Sequence, residues 1–346
     1  MTEPVETAPG VYQLRLPMLA PPVVYEPDAT VSVYLLRGRD GDLLIDSGWN
    51  TEICRNSLSR QLAEMGIGWG DLKQVVYTHL HSDHFGFSGM FEGYGITRQA
   101  AHWRDVEHAH RRYDISGEDC WQQESLWLQS HGTPAEQAAA LREVALTLDR
   151  IAWPAMPEMP LEGGEIIEFP PFQLQVLWTP GHSPGHICLY EPRLKVLFAG
   201  DHLVERGAAP VAFFNSYDED HDPVAHYVDS VKSLMGLDVA LVLPAHGRAF
   251  GGLPSRAREI VSQVERMQAM VLSVRDEQRS LTAFEVTVRI HDGDWNEILP
   301  VMKRAHILFA VARLQALRLE GRVEAIMNDG VVSFLRRSAE PKGLHQ

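Results

Sequence analysis

The sequence predicts an α/β (α+β) protein: one large domain over residues 1–263, then a smaller helical domain over 264–346. Three observations carry that expectation. Apolar, β-branched runs alternate with helix-spaced patterns along the first part of the chain. Four of those runs lead directly into histidine or aspartate. The last segment changes to long amphipathic helices followed by a hairpin signal.

Composition narrows the classes. The chain is long enough to bury one large core and a small one. Its net charge of −15 argues against a protein that coats nucleic acid or an anionic membrane. The cysteines Cys54, Cys120 and Cys188 are odd in number and far apart, so they read as core residues rather than a disulfide framework. The N-terminus lacks an apolar signal-peptide run, and no run reaches the ~18 apolar residues of a membrane span, so a cytoplasmic protein without a membrane partner is expected.

In chain order, Val31–Leu36 and Asp42–Ile45 flank a Gly/Asp turn and read as a hairpin. A helix from Thr51 to Met65, closed by Gly66, leads into the strand Gln74–Tyr77. Residues 102–153 read as two or three helices, Trp103–Tyr113, Glu118–Ser130 and one opened by the capping-box sequence Thr133-Pro134-Ala135-Glu136. They carry Trp103, Trp121, Trp127 and Trp153, and suit either a helical layer over a sheet or a lid shaping an apolar substrate pocket. Strands return at Glu165–Phe169, Gln173–Trp178, His186–Glu191, Lys195–Ala199 and Val239–Leu243, with a helix from Pro223 to Met235 and a longer one from Ser255 to Arg279. A second capping box, Thr282 with Glu285, precedes a helix from Leu299 to Glu320 ended by Gly321. Arg322–Ile326 and Val331–Leu335 around Asp329-Gly330 complete a pattern like a winged helix.

The chemistry gathers at the strand ends. Thr78-His79-Leu80-His81-Ser82-Asp83-His84 follows the strand ending at Tyr77 and packs three imidazoles and a carboxylate into six residues. These are the donors that zinc, iron(II) or manganese take. His182 lies in a Gly/Pro-fixed turn, Asp201-His202 follows Lys195–Ala199, and His246 follows Val239–Leu243.

Taken together, these motifs resemble the metallo-β-lactamase superfamily over roughly residues 10 to 265. The resemblance implies an αββα sandwich with a dinuclear metal site. It places His79, His81 and His182 on one metal, Asp83, His84 and His246 on the other, Asp201 between them, and Asp46 as a brace that binds no metal. Two divalent ions, zinc first with iron or manganese as alternatives, would generate a bridging hydroxide near neutral pH. Asp83 and Asp201 are then the catalytic carboxylates.

The bridging Asp201 argues against a β-lactamase. Only forty-five positions separate Asp201 from His246, too few for the cap of the large nucleases of this fold. What the resemblance leaves is a hydrolase of thioester, ester or lactone carbonyls with a small-molecule apolar acyl substrate, of the glyoxalase-II-like or lactamase-β-2-like type. An endoribonuclease is the alternative, disfavoured because residues 264–346 hold twelve basic and eleven acidic side chains and the remainder is strongly acidic. A mononuclear iron dioxygenase is a further one. The C-terminal segment buttresses the site or forms a homodimer interface on this reading. His202, Phe213, Tyr217, Trp103 and Trp127 are the candidate substrate contacts, and His186 is expected to pack or hydrogen-bond near His182.

Overall fold

The computed structural model describes residues 3–20, 23–24, 29–113, 117–149, 155–213, 220–274, 279–291 and 294–337. The chain divides into two compact units. One comprises Met1–Gly117, Leu146–Ala209 and His226–Val261, and the other Glu118–Ala145, Pro210–Ala225 and Ser262–Gln346.

Two sheets form the first unit. The seven-stranded sheet runs in the order Val5–Ala8, Val11–Pro17, Thr30–Arg37, Asp42–Ile45, Leu72–Val76, Gln99–His102, Met159–Leu161. Its first four strands are antiparallel, and the last three join in parallel. The second sheet orders Ile166–Phe169, Phe172–Trp178, Ile187–Glu191, Val196–Gly200 and Leu241–Pro244, the last pair parallel. Phe172–Trp178 alternates buried and less buried residues, as a strand with one apolar face must. Ile187–Glu191 and Val196–Gly200 are buried throughout and read accordingly as near-continuous apolar runs. Tyr34, Leu36 and Ile45 of one sheet share a core with Leu174, Leu189 and Phe198 of the other.

Local signals explain the boundaries. Thr51 Oγ1 caps the helix Glu52–Glu64 by accepting from Cys54 N, and Gly66, at φ +73°, follows its end. In the parallel stretch each strand points its carboxyl end the same way, so Leu72–Val76 delivers residues 78–84 to one edge of the sandwich. Among the described residues no helix is long and apolar enough to cross a membrane.

The second unit is helical with one small sheet. Leu128, Ala138 and Leu141 pack with Ala212, Trp295, Ile307 and Leu308 in a common core. Leu281–Thr282, Val331–Arg336 and Val323–Asn328 form an antiparallel sheet in that order. Asp329 and Gly330, both at positive φ, make the tight turn between its last two strands.

This division differs from the linear one expected. Residues 102–153 do not behave as one inserted lid: Trp103–Tyr113 belongs to the first unit, whereas 118–145 joins the C-terminal helices. The reason is apolar pairing, because Leu128, Ala138 and Leu141 bury against side chains of the helix Pro300–Leu319 and its neighbours. The two capping-box sequences also part ways. Thr282 and Glu285 form theirs reciprocally. Thr133 instead gives its N–H to Leu128 O, closing the preceding helix after Gly132 at φ +92°, and its hydroxyl is buried without a partner among the described residues.

Candidate metal centre

Seven side chains from four strand ends of the first unit converge. His79 Nε2, His81 Nδ1 and His182 Nε2 lie 2.9, 3.1 and 3.2 Å from one another. Asp83 Oδ2, His84 Nε2 and His246 Nε2 make a second group, with Asp83 3.5 Å from His84 and 3.3 Å from His246. Asp201 stands between the groups and divides its carboxylate. Oδ2 lies 3.4 Å from His182 Nε2 and 3.9 Å from His79 Nε2, while Oδ1 lies 3.4 Å from His84 Nε2 and 3.3 Å from His246 Nε2.

The tautomers follow from partners whose roles are fixed. Asp46 Oδ1 accepts from Thr78 N at 2.7 Å, and its Oδ2 accepts from Thr78 Oγ1 at 2.8 Å and from His84 Nδ1 at 2.9 Å. With Nδ1 so committed, His84 turns Nε2 toward the cluster. Thr78 Oγ1, donating to Asp46, accepts from His79 Nδ1, which frees His79 Nε2 in the same way. Burial and the neighbouring imidazoles push the His79 pKa well below its usual value, so that ring is neutral. Asp46 therefore orients His84 directly and His79 through Thr78, and it does so at φ +61°.

Donor chemistry fits divalent cations. Imidazole lone pairs pointed at one another repel unless a cation lies between them, and tetrahedral zinc at ~2.0–2.1 Å from each nitrogen sets nitrogens about 3.3 Å apart. His84 Nε2 and Asp201 Oδ1 are buried and have no hydrogen bond among the described residues. Buried atoms of that kind are costly unless something pairs them. Three groups of candidate metal-ligating side chains are found here: His79/His81/His182, His79/His84/Asp201 and Asp83/His84/His246.

Further residues hold the arrangement. His186 Nε2 accepts from Asp201 N at 3.2 Å, and its Nδ1 donates to Thr179 Oγ1 at 2.9 Å, so a neutral, fully buried ring fixes the backbone of the dividing aspartate. Gly200, at φ +49°, has no room for a side chain: a Cβ would come within 2.6 Å of His186 Nε2 and 2.8 Å of Thr78 Cβ. Asp105 is the residue that sequence reasoning missed. Its buried carboxylate accepts from Leu80 N (3.0 Å), Ser183 Oγ (2.8 Å) and Gly185 N (2.5 Å), tying the His79–His84 loop to the His182 turn. Burial nonetheless raises its pKa. Ser183, with its hydroxyl committed to Asp105, shapes the loop.

The candidate substrate contacts have differing surroundings. His202 is fully buried between the rings of His186 and Tyr227 and offers no face to a cleft. Burial pushes its pKa down to about 3. Trp103 is partly exposed and stacks with His102, with Arg104 over its ring. Trp127 and Phe213 stack on each other in the second unit. Tyr217 and Trp153 lie outside the described residues.

A β-sandwich that gathers histidines and aspartates from its strand ends around buried, cation-demanding atoms defines a metal-dependent hydrolase. The chain belongs to the metallo-β-lactamase superfamily, whose family model matches residues 27–246. It is 27% identical over 268 residues to the probable metallo-hydrolase YqjP of Bacillus subtilis, covering 74% of this chain and 79% of that one. It is 28% identical over 236 residues to the acyl-coenzyme A thioesterase MBLAC2 of Bos taurus, covering 66% and 76%. Among solved structures it resembles the metallo-β-lactamase family protein TTHA1429 of Thermus thermophilus, at a TM-score of 0.79 and 30% identity, over 95% of this chain and 99% of that one.

Proposed function

We propose that the protein is a dinuclear hydrolase that cleaves the carbonyl of an acyl thioester, and by the same chemistry of esters or lactones, with an apolar acyl group. The observation that carries this reading is the divided carboxylate of Asp201, one oxygen toward each group of three donors. His79, His81 and His182 would hold one ion, and Asp83, His84 and His246 the other. Zinc suits this imidazole-rich set best. Bound there, the ions would supply a water acidic enough to ionise near neutral pH and a Lewis acid for the carbonyl oxygen.

The chain's own residues then set the geometry and move the proton. Asp201 is fixed through its backbone by His186, and the two histidine groups are fixed by Asp46 and Asp105. Asp83 Oδ2 lies 3.5 Å from His84 Nε2 and 3.3 Å from His246 Nε2, at the second donor group. As a carboxylate there it would take the proton left after the water attacks. The relative named as an acyl-coenzyme A thioesterase supports the thioester as the substrate class.

The test is a hydrolysis panel on purified protein with counted metals: acyl-coenzyme A esters of graded chain length, aryl esters, lactones, nitrocefin and single-stranded RNA. Thioester turnover that disappears with chelation and returns with metal is the expected result. RNA cleavage with inert thioesters would overturn it.

A further inference from the structure

Besides the mostly apolar cavity of the second unit, of about 380 Å³ and lined by Trp127, Phe213 and Phe334 among others, the first unit carries a charged cleft. Its volume is about 490 Å³, inside the ~300–1,000 Å³ range of small-molecule pockets. Asp42–Ile45, Leu72–Val76 and Gln99–His102 run parallel, and the cleft lies where they begin. Arg39 and Asp40 precede the first strand, Gly70 the second, and Thr97 and Arg98 the third. The His79–His84 loop leaves the opposite end of Leu72–Val76, whose five residues at ~3.3 Å each set roughly 16 Å between the two ends.

The side chains of the cleft are of three kinds. Arg39, Lys73 and Arg98 are cationic, in a chain whose net charge is −15. Neither arginine side chain has a hydrogen bond or ion pair among the described residues. Lys73 Nζ gives one N–H to Gly70 O at 2.6 Å and keeps two. The aromatic wall is Tyr94, half exposed and stacked on Trp69 at 5.2 Å and 14°. Two acids complete the set. Glu168 accepts from Gln173 Nε2 through both oxygens at 3.1 Å, whereas Asp40 has no hydrogen bond or ion pair among the described residues.

Unspent guanidinium forks match phosphate oxygens. A carboxylate among them calls for hydroxyl donors on the same ligand, because a bare anion would leave it facing like charge. A flat ring backed by a second one presents a π-face on which a base stacks. Phosphates, sugar hydroxyls and a base together make a nucleotide. We infer from this juxtaposition that the cleft binds a nucleoside diphosphate, with its phosphates on Arg39 and Arg98, its ribose on Asp40 and its base on Tyr94. None of these residues belongs to the metal centre, and the inference is independent of the hydrolytic reading.

Calorimetric titration of the full-length protein with ADP, and with adenosine as its uncharged counterpart, tests the site. Saturable ADP binding is expected, with adenosine about tenfold weaker or worse. The double variant Arg39→Gln/Arg98→Gln should remove that difference. Tyr94→Ala should weaken ADP about fivefold or more. All three positions are exposed, where such substitutions leave folding intact. ADP binding should survive Asp201→Asn. The inference fails if ADP does not bind, if adenosine binds as tightly, if the arginine or the Tyr94 variant binds ADP as the unmodified protein does, or if Asp201→Asn abolishes binding, which would place the diphosphate at the metal centre.

Discussion

The metal centre and the cavity of the second unit are built by opposite means. At the centre, polar donors sit on short loops at strand ends, and several are held by another buried polar group: His84 by Asp46, Asp201 by His186, and the His182 turn by Asp105. The cavity is mostly apolar, drawn from three stretches of chain distant in sequence. A network of buried charges requires every member, since an unpaired buried charge costs several kcal/mol. An apolar pocket tolerates change of shape with modest loss. The first region should therefore respond steeply to single substitutions and the second gradually.

The largest effect that could break this contrast is at Asp201. Asp201→Ala should reduce thioester hydrolysis by about 10³-fold or more and lower bound metal, because it removes a donor from both groups at once. Kinetics alongside elemental analysis check this, and retained turnover with one ion lost would contradict a shared carboxylate. Next is Asp105→Asn, which keeps the shape but presents an amide to three donors. Metal affinity should fall about 10–100-fold, read by chelator competition, with much of the activity returning in excess metal. His202→Leu sharpens the contrast from the other side. Hydrolysis should stay within about threefold, and thermal stability should hold or rise, since two buried ring nitrogens without partners among the described residues disappear. The smallest effect separates the two capping sequences: Thr282→Ala should cost about 1 kcal/mol in urea unfolding, whereas Thr133→Val should cost nothing measurable.

Those last two sites show what a sequence can and cannot display. Thr133–Glu136 and Thr282–Glu285 share the same capping pattern, yet at Thr133 the closure of the helix before it takes precedence. The strand ends were legible because their functional residues are contiguous with apolar runs, so His79–His84 announces both the strand and the cluster. Asp105 was not. Its partners stand 25 to 80 positions away, and within its own helix it is one acid among several polar residues. The strand Gln99–His102 was equally hidden, since Gln-Ala-Ala-His has little β-propensity and forms through pairing with Leu72–Val76 and Met159–Leu161. The direction of the His202 ring was hidden for a related reason. Adjacency to Asp201 says nothing about side-chain direction, and a bond from His202 N to Ala199 O turns the chain there and leaves the ring inside. Domain membership of 118–145 depended on which apolar face it would meet, information that no single segment holds.

The divided carboxylate of Asp201 is the centre of the account, and counting metal ions in the native protein tests it most directly. Elemental analysis against protein concentration, with activity followed as ions are removed stepwise, should find two divalent ions per chain and loss of hydrolysis when either is withdrawn. One ion per chain with full activity would contradict the dinuclear reading.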